Sequence, residues 1–404
     1  MRKQTLTRKL ALLADRGPLR VMFLNTSMPV GGAEMLEVNL IRRLDRDRFS
    51  PEVCCLKEFG PLGEMLAHEV PGHERLLTCK FDVRVLPRLT RLFRQRRIDA
   101  VITVGAGDKM FWGRLAAWRA GVPVVLSALH STGWPDGVGR LNRSLNRLTD
   151  AFIGVARSHG AHLVERERFP ADKVRVIPNG VDVERFAVGD PSAAVRRELK
   201  LDRATPVVGI VAALRPEKDH ELFLRVAALV RRDIPAARFI IVGDGDLRGH
   251  LASYARDLDL ADAVHFLGNR NDVPRVLAAL DVFLLTSRME ANPVSILEAF
   301  SAGKPVVAPR VGSLAESVAD GFSGHLTKPA DAEEAAGRVV ELLRDPSRAR
   351  VMGEAGQQAV REHWSLERMV RGYEDLIVEV YQRKCAADCG RPRSAGQLTG
   401  VNAR

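Results

Sequence analysis

The chain has 404 residues, 46% of them hydrophobic, and a formal net charge of +11. That length exceeds one ordinary hydrophobic core and favours two domains, and no run of about 18 apolar residues offers a membrane-spanning helix. Five cysteines, two of them adjacent at Cys54 and Cys55, do not form the even, spaced framework of a disulfide-built secreted protein, and the tail around Cys385 and Cys389 has no histidine to complete a zinc site.

Residues 1–18 read as an N-terminal extension of a cytoplasmic protein, because the apolar stretch before Asp15 and Arg16 is too short for a signal peptide. Beyond it, apolar runs alternate with helical patterns, the signature of parallel sheets built from β-α units. Strands are expected at 21–24, 53–56, 100–104, 122–126, 151–155 and 174–177. A second set is expected at 207–211, 238–242, 264–266, 281–285, 305–308 and 324–327. The turn signal Pro178-Asn179-Gly180-Val181-Asp182 and the polar segment 189–192 separate the two sets as a linker. The expected domains are 19–183 and 184–363, followed by an amphipathic helix within 364–383 and a disordered tail over 384–404.

The positive charge calls for an anionic partner, yet no nucleic-acid motif accompanies it and nucleic acid is not expected. One predicted helix carries Arg84, Arg88, Arg91, Arg94, Arg96 and Arg97 around Val85, Leu86, Leu89, Leu92 and Phe93. A second carries Arg140, Arg143 and Arg147. The first suits an anionic membrane surface, and equally an ordinary solvated basic face.

Each half opens with a strand, a loop and a helix. In the first half the loop holds Gly31-Gly32, and small residues there let the main chain approach a phosphate. In the second it holds Arg215 and Lys218. Further on, Asn292 reads as an N-cap, Pro293 as the first helical residue and Gly303 as the stop, so Glu290 and Glu298 bracket a helix N-terminus able to hold phosphate. Ionised carboxylates accept hydrogen bonds from paired hydroxyls, which sugars and ribose both present, while a basic pair neutralises a diphosphate. Together these residues suit a nucleoside diphosphate carrying a sugar. A capped helix with ordinary surface charges is the bland alternative.

The motifs resemble glycosyltransferase family 4, the retaining enzymes of GT-B fold, over roughly residues 19 to 382. The resemblance rests on Glu290 and Glu298 with the following 302–308 and Gly312-Ser313-Leu314-Ala315-Glu316. It is supported by 177–182, Arg215-Pro216-Glu217-Lys218, 241–245 and 266–273. Ala291-Asn292 departs from the glycine and large apolar residue common after the first glutamate. The resemblance implies an α/β, GT-B architecture: two Rossmann-like doubly wound domains facing across a cleft, with the C-terminal helix crossing back to the N-terminal domain. It implies a donor site in which Glu290 holds sugar hydroxyls, Glu298 the ribose, and Arg215 and Lys218 the diphosphate. Gly268, Asn269 and Arg270 would meet the base, mostly through backbone groups, and the amides at Asn292, Val294 and Ser295 would add phosphate donors.

Gly31 and Gly32 match the family's glycine loop, and His130 its histidine beside the reacting sugar. The implied catalytic set is Glu290, His130, Arg215 and Lys218. Implied partners are a UDP- or GDP-linked sugar and a glycan or lipid-linked glycan acceptor in cell-surface polysaccharide or glycolipid assembly. No cofactor or metal is expected, since Arg215 and Lys218 supply the positive charge. Asp45/Asp47, Asp244/Asp246 and Asp257/Asp259 match an Asp-x-Asp metal signature only superficially, the first and last pairs being expected on helical surfaces. The competing readings are a nucleotide-sugar epimerase of the same architecture and a catalytically silent sugar-nucleotide-binding protein.

Overall fold

The computed structural model describes residues 16–79, 82–130, 139–186 and 192–389. The expected extension up to residue 15, the linker residues 187–191 and the tail from residue 390 lie outside them.

Two wholly parallel sheets form. The first holds β1 (Leu19–Asn25), β2 (Phe49–Cys55), β3 (Gly72–His73), β4 (Ala100–Val104), β5 (Val124–Ala128), β6 (Ala151–Gly154) and β7 (Val174–Val176), in the order β3-β2-β1-β4-β5-β6-β7. The second holds β8 (Val207–Val211), β9 (Arg238–Val242), β10 (Val264–Gly268), β11 (Val282–Leu284), β12 (Val306–Pro309) and β13 (Gly324–Thr327), in the order β10-β9-β8-β11-β12-β13. In both, the strand order reverses at the first strand of the set, which opens a crevice at the carboxyl ends of the strands. Strands buried on both faces read as continuous apolar runs because helices cover each side.

The C-terminal helix, Leu366–Cys389, packs on the first domain: Leu366, Met369, Tyr373, Ile377 and Tyr381 join the core around Phe23, Val38 and Ile102. It begins where the chain passes between domains, with Val181 donating to the Trp364 carbonyl at 2.9 Å and Leu366 donating to the Val181 carbonyl at 3.0 Å. The helix does not end before Lys384, as its polar composition suggested. Lys384 pairs with Asp150 at 2.7 Å and Cys385 is buried, so the turn beyond Gln382 is pinned to the first domain rather than belonging to the tail. At the other end Arg16 bonds Asp99 and the Tyr381 hydroxyl.

Two basic segments differ from expectation. The first helix runs Val85–Gln95, leaving Arg96 and Arg97 beyond its end, and its apolar stripe of Val85, Leu89 and Phe93 is buried against Met22, Leu24 and Val101. The apolar stripe is therefore spent on the domain core, which leaves the basic face as the helix's exposed side. Arg84 and Arg88 pair with Asp82, and Arg96 with Glu52. In the second segment the helix Gly139–Ser144 ends before Arg147, which falls in a separate turn, Asn146–Leu148. Asp45 and Asp47 stand in the turn ahead of β2 and not on a helix, the Asp45 carboxylate accepting the Asp47 N–H at 3.0 Å. No helix among the described residues is long and apolar enough to cross a membrane.

Candidate active site

The loops leaving β8 and β11 are stitched together at the carboxyl end of the second sheet. After β8 the chain makes a short turn, Pro216–Lys218, and Asp219 then caps the helix His220–Asp233 by accepting the Leu222 N–H at 3.2 Å. Thr286 donates to the Lys218 carbonyl at 3.1 Å, and the Arg288 guanidinium donates to Asp219 at 2.8 Å. This lattice delivers Lys218 to Glu290: the ammonium lies 2.6 Å from the buried carboxylate. Arg215 is exposed at the mouth of the loop, and its side chain makes no hydrogen bond or ion pair among the described residues. The structure thus joins two of the four expected charged residues directly.

The helix after Glu290 starts one residue later than its sequence suggests. It spans Val294–Ser301, Pro293 occupies the N-cap, and no side chain caps it. Asn292 is not the N-cap because its amide works elsewhere: it donates to the Val155 carbonyl of the first domain at 2.9 Å, while its own carbonyl accepts the Asn179 amide at 2.8 Å. The N–H groups of Val294 and Ser295 are left at the cleft without a side-chain cap, the arrangement that attracts an anion. Gly32, at the start of the helix Gly32–Arg43, faces that end: a Cβ on it would stand 4.0 Å from Val294. Gly31 has an extended backbone and needs no special freedom.

Glu298 lies inside this helix. Burial pushes its carboxyl up to about 7, with Arg185 pulling the other way. A carboxyl that holds its proton more tightly in the folded chain lowers stability as pH rises from its ordinary 4.5 through about 7. Ribose hydroxyls would hydrogen-bond the ionised form, so affinity for an intact nucleotide sugar should rise roughly threefold to tenfold between about pH 6 and 8. Glu298→Gln should flatten that rise, and calorimetric titrations across this range check it. Arg185 also donates to the Asn271 carbonyl at 3.2 Å, tying Glu298's surroundings to the segment after β10. There Gly268 adopts φ +65° and accepts the Gly243 N–H at 2.8 Å, and Asn269 is exposed. Arg270 offers no free side chain, being forked between Asp272 at 2.7 Å and Glu198 at 2.8 Å. Only its backbone can serve a base.

His130 follows β5 and borders Asn179, the residue bonded to the Asn292 carbonyl, so it stands beside the donor loop. Burial pushes its imidazole down to about 4, helped by His159 and Lys109. It is neutral at working pH and fitted to orient a hydroxyl, not to buffer positive charge. Its Nδ1 is buried without a hydrogen-bond partner among the described residues, and the residue lines a cavity of about 10 Å³ shared with Glu37 and Tyr373. Glu37 accepts the Asn25 amide at 2.7 Å, and burial pushes its carboxyl up to about 8. Neither Glu37 nor the interdomain role of Asn292 was signalled by spacing.

Comparison with known proteins places the family and the fold. Residues 30–185 match the family described as Glycosyltransferase Family 4, and residues 192–359 match Glycosyl transferases group 1. The chain is 28% identical over 375 residues to the UDP-Gal:alpha-D-GlcNAc-diphosphoundecaprenol alpha-1,3-galactosyltransferase of Escherichia coli, covering 88% of this chain and 96% of that protein. It is 30% identical over 350 residues to the GDP-mannose-dependent alpha-(1-6)-phosphatidylinositol monomannoside mannosyltransferase of Mycolicibacterium smegmatis, covering 81% and 87%. In three dimensions it is similar to Anabaena HepE, solved in complex with UDP-glucose, with a TM-score of 0.80 and 22% identity over 89% of this chain and all of that one.

Proposed function

The chain belongs to glycosyltransferase family 4 and has the GT-B fold, and from that premise we propose that it transfers a sugar, with retention and without a metal ion, from a UDP- or GDP-linked donor to a hydroxyl of a lipid-linked or polysaccharide glycan at the cytoplasmic face of the membrane. The observation that carries this reading is the Lys218–Glu290 pair at 2.6 Å beside the uncapped start of Val294–Ser301. A diphosphate placed there meets a cation and two backbone N–H groups, and Glu290 is left to accept hydrogen bonds from the sugar. One of the relatives uses a UDP-sugar and another a GDP-sugar by name, which supports both donor classes.

In the proposed reaction the bond from the anomeric carbon to the β-phosphate oxygen breaks and the acceptor oxygen bonds the same face. The acceptor proton passes to the departing phosphate oxygen. Lys218, Arg215 and the Val294 and Ser295 amides stabilise the charge growing on the diphosphate, while neutral His130 orients the sugar. The test is a transfer assay over a panel of UDP- and GDP-sugars, with the product's anomeric configuration read by NMR. Full activity in a chelator and a retained anomer are expected. Activity that is lost in chelator and restored by magnesium or manganese, or an inverted product, would overturn this assignment.

A further inference from the structure

Glu316 closes the Gly312–Glu316 motif and takes no part in the donor site derived above. Its carboxylate reaches across the cleft. One oxygen accepts the Arg157 N–H at 2.9 Å; the other accepts the Ser158 N–H at 2.7 Å and the Ser158 hydroxyl at 2.5 Å. These donors are the first two residues of the helix Arg157–Glu165 in the first domain, whose own N-cap, Ala156, has no side-chain acceptor. A helix normally takes its cap from the residue just upstream. This one takes it from the opposite domain. Burial alone would raise the Glu316 carboxyl, yet the bonds from Ser158 and Arg157 bring it below the usual carboxylate range.

The same short segment of the first domain meets the donor loop a second time, through the Asn292 amide on the Val155 carbonyl. On the donor side the two contacts are joined, because Ser313 donates its N–H to the Glu290 carbonyl at 3.2 Å and its hydroxyl to the Ala291 carbonyl. On the other side, the Val155 N–H donates to the His159 ring at 3.2 Å, and His159 neighbours His130. A continuous set of contacts therefore runs from Glu290 through Ser313 and Glu316 to the wall that carries His130.

We propose that Glu316 is an interdomain latch, a positioning residue that caps the helix Arg157–Glu165 when the cleft is closed and so fixes the His130 wall against the donor loop. Opening the cleft to admit donor exchanges the three bonds for water, which keeps the latch reversible. Its catalytic consequence rests on the transferase reading above, whereas its effect on domain closure does not.

The experiment uses the full chain carrying Glu316→Ala, with Glu316→Gln as the nearly isosteric variant should the alanine form misfold. Small-angle scattering of the ligand-free proteins should give a larger radius of gyration for the variant than for the wild type. Both domain cores are untouched, so the thermal midpoint should move by only a few degrees. In the transfer assay, kcat should fall roughly five- to tenfold while donor KM changes less than about threefold, and donor hydrolysis should rise relative to transfer. Ser158→Ala, which removes one of the three bonds, should show a smaller effect of the same kind. Superimposable scattering curves for wild type and variant would overturn the latch even if transfer were impaired. A changed curve for the variant, with a wild type that transfers sugar from no donor of the panel, would uphold the latch and overturn the transferase reading alone.

Discussion

Glu290→Gln is expected to lower donor kcat/KM by roughly two to three orders of magnitude, the scale for removing a preorganised electrostatic group from a water-poor site. The buried carboxylate lies 2.6 Å from the Lys218 ammonium, so it does two things at once. In the proposed donor site it would hold the ammonium in place before the diphosphate arrives, and it would present acceptor oxygens to the sugar. Glutamine keeps the shape and one acceptor, but replaces the other with a donor that faces both the cation and the sugar hydroxyls. Stability should change far less than rate, because Lys218 is partly exposed and can be hydrated when its partner is neutral. Steady-state kinetics beside a thermal melt separate the two quantities. A fall in melting temperature with unchanged kcat/KM in the folded fraction would contradict the role.

Gly312→Ala carries the second large effect. Gly312 adopts φ +53°, and a Cβ built on it would stand 1.8 Å from the Glu290 carbonyl oxygen. Neither conflict can be relieved locally, since the clashing atom is backbone and Ser313 is bonded to the Glu290 and Ala291 carbonyls. The conformational strain and the overlap together should lower the melting temperature by at least about 5 °C and distort the loop that carries Glu290, abolishing most donor binding. Gly303→Ala is the matched control. Gly303 has φ +68° but nothing within 4 Å of its Cβ position, so it incurs only the conformational term and should leave donor affinity intact. Equal losses in the two variants would show that the crowding at Glu290 does not matter.

The strands were legible because parallel strands covered on both faces are largely apolar, and β4, β8, β9 and β13 begin and end at the expected residues. β3 was not legible: two residues, Gly72–His73, carry no pattern. β5 begins at Val124 and not at Val122, because the helix Asp108–Ala120 ends on left-handed Gly121 and Val122 gives its N–H back to the Ala117 carbonyl. Lys218 and Glu290 could be placed in one crevice by their motifs, but their direct pairing, across 72 residues of chain, was not read from the sequence. Asn292 was misread because its amide partner, Val155, belongs to the other domain, and an N-cap pattern sees only the next few residues. Arg270 was expected to meet a base mostly through its backbone, and that expectation stands beside a guanidinium occupied by Glu198 and Asp272. Glu316 could be found as part of a motif, but its function depends on the opposing helix and has no local signal.

Lys218, Glu290 and the start of Val294–Ser301 form the proposed seat of a nucleoside-diphosphate sugar. Calorimetric titration of the panel's best donor into wild type and Lys218→Ala tests it most directly. Loss of one charge-assisted contact to the diphosphate should weaken binding by roughly tenfold to a hundredfold, with one site in the wild type. An unchanged dissociation constant in the variant would place the diphosphate elsewhere and rule out this seat.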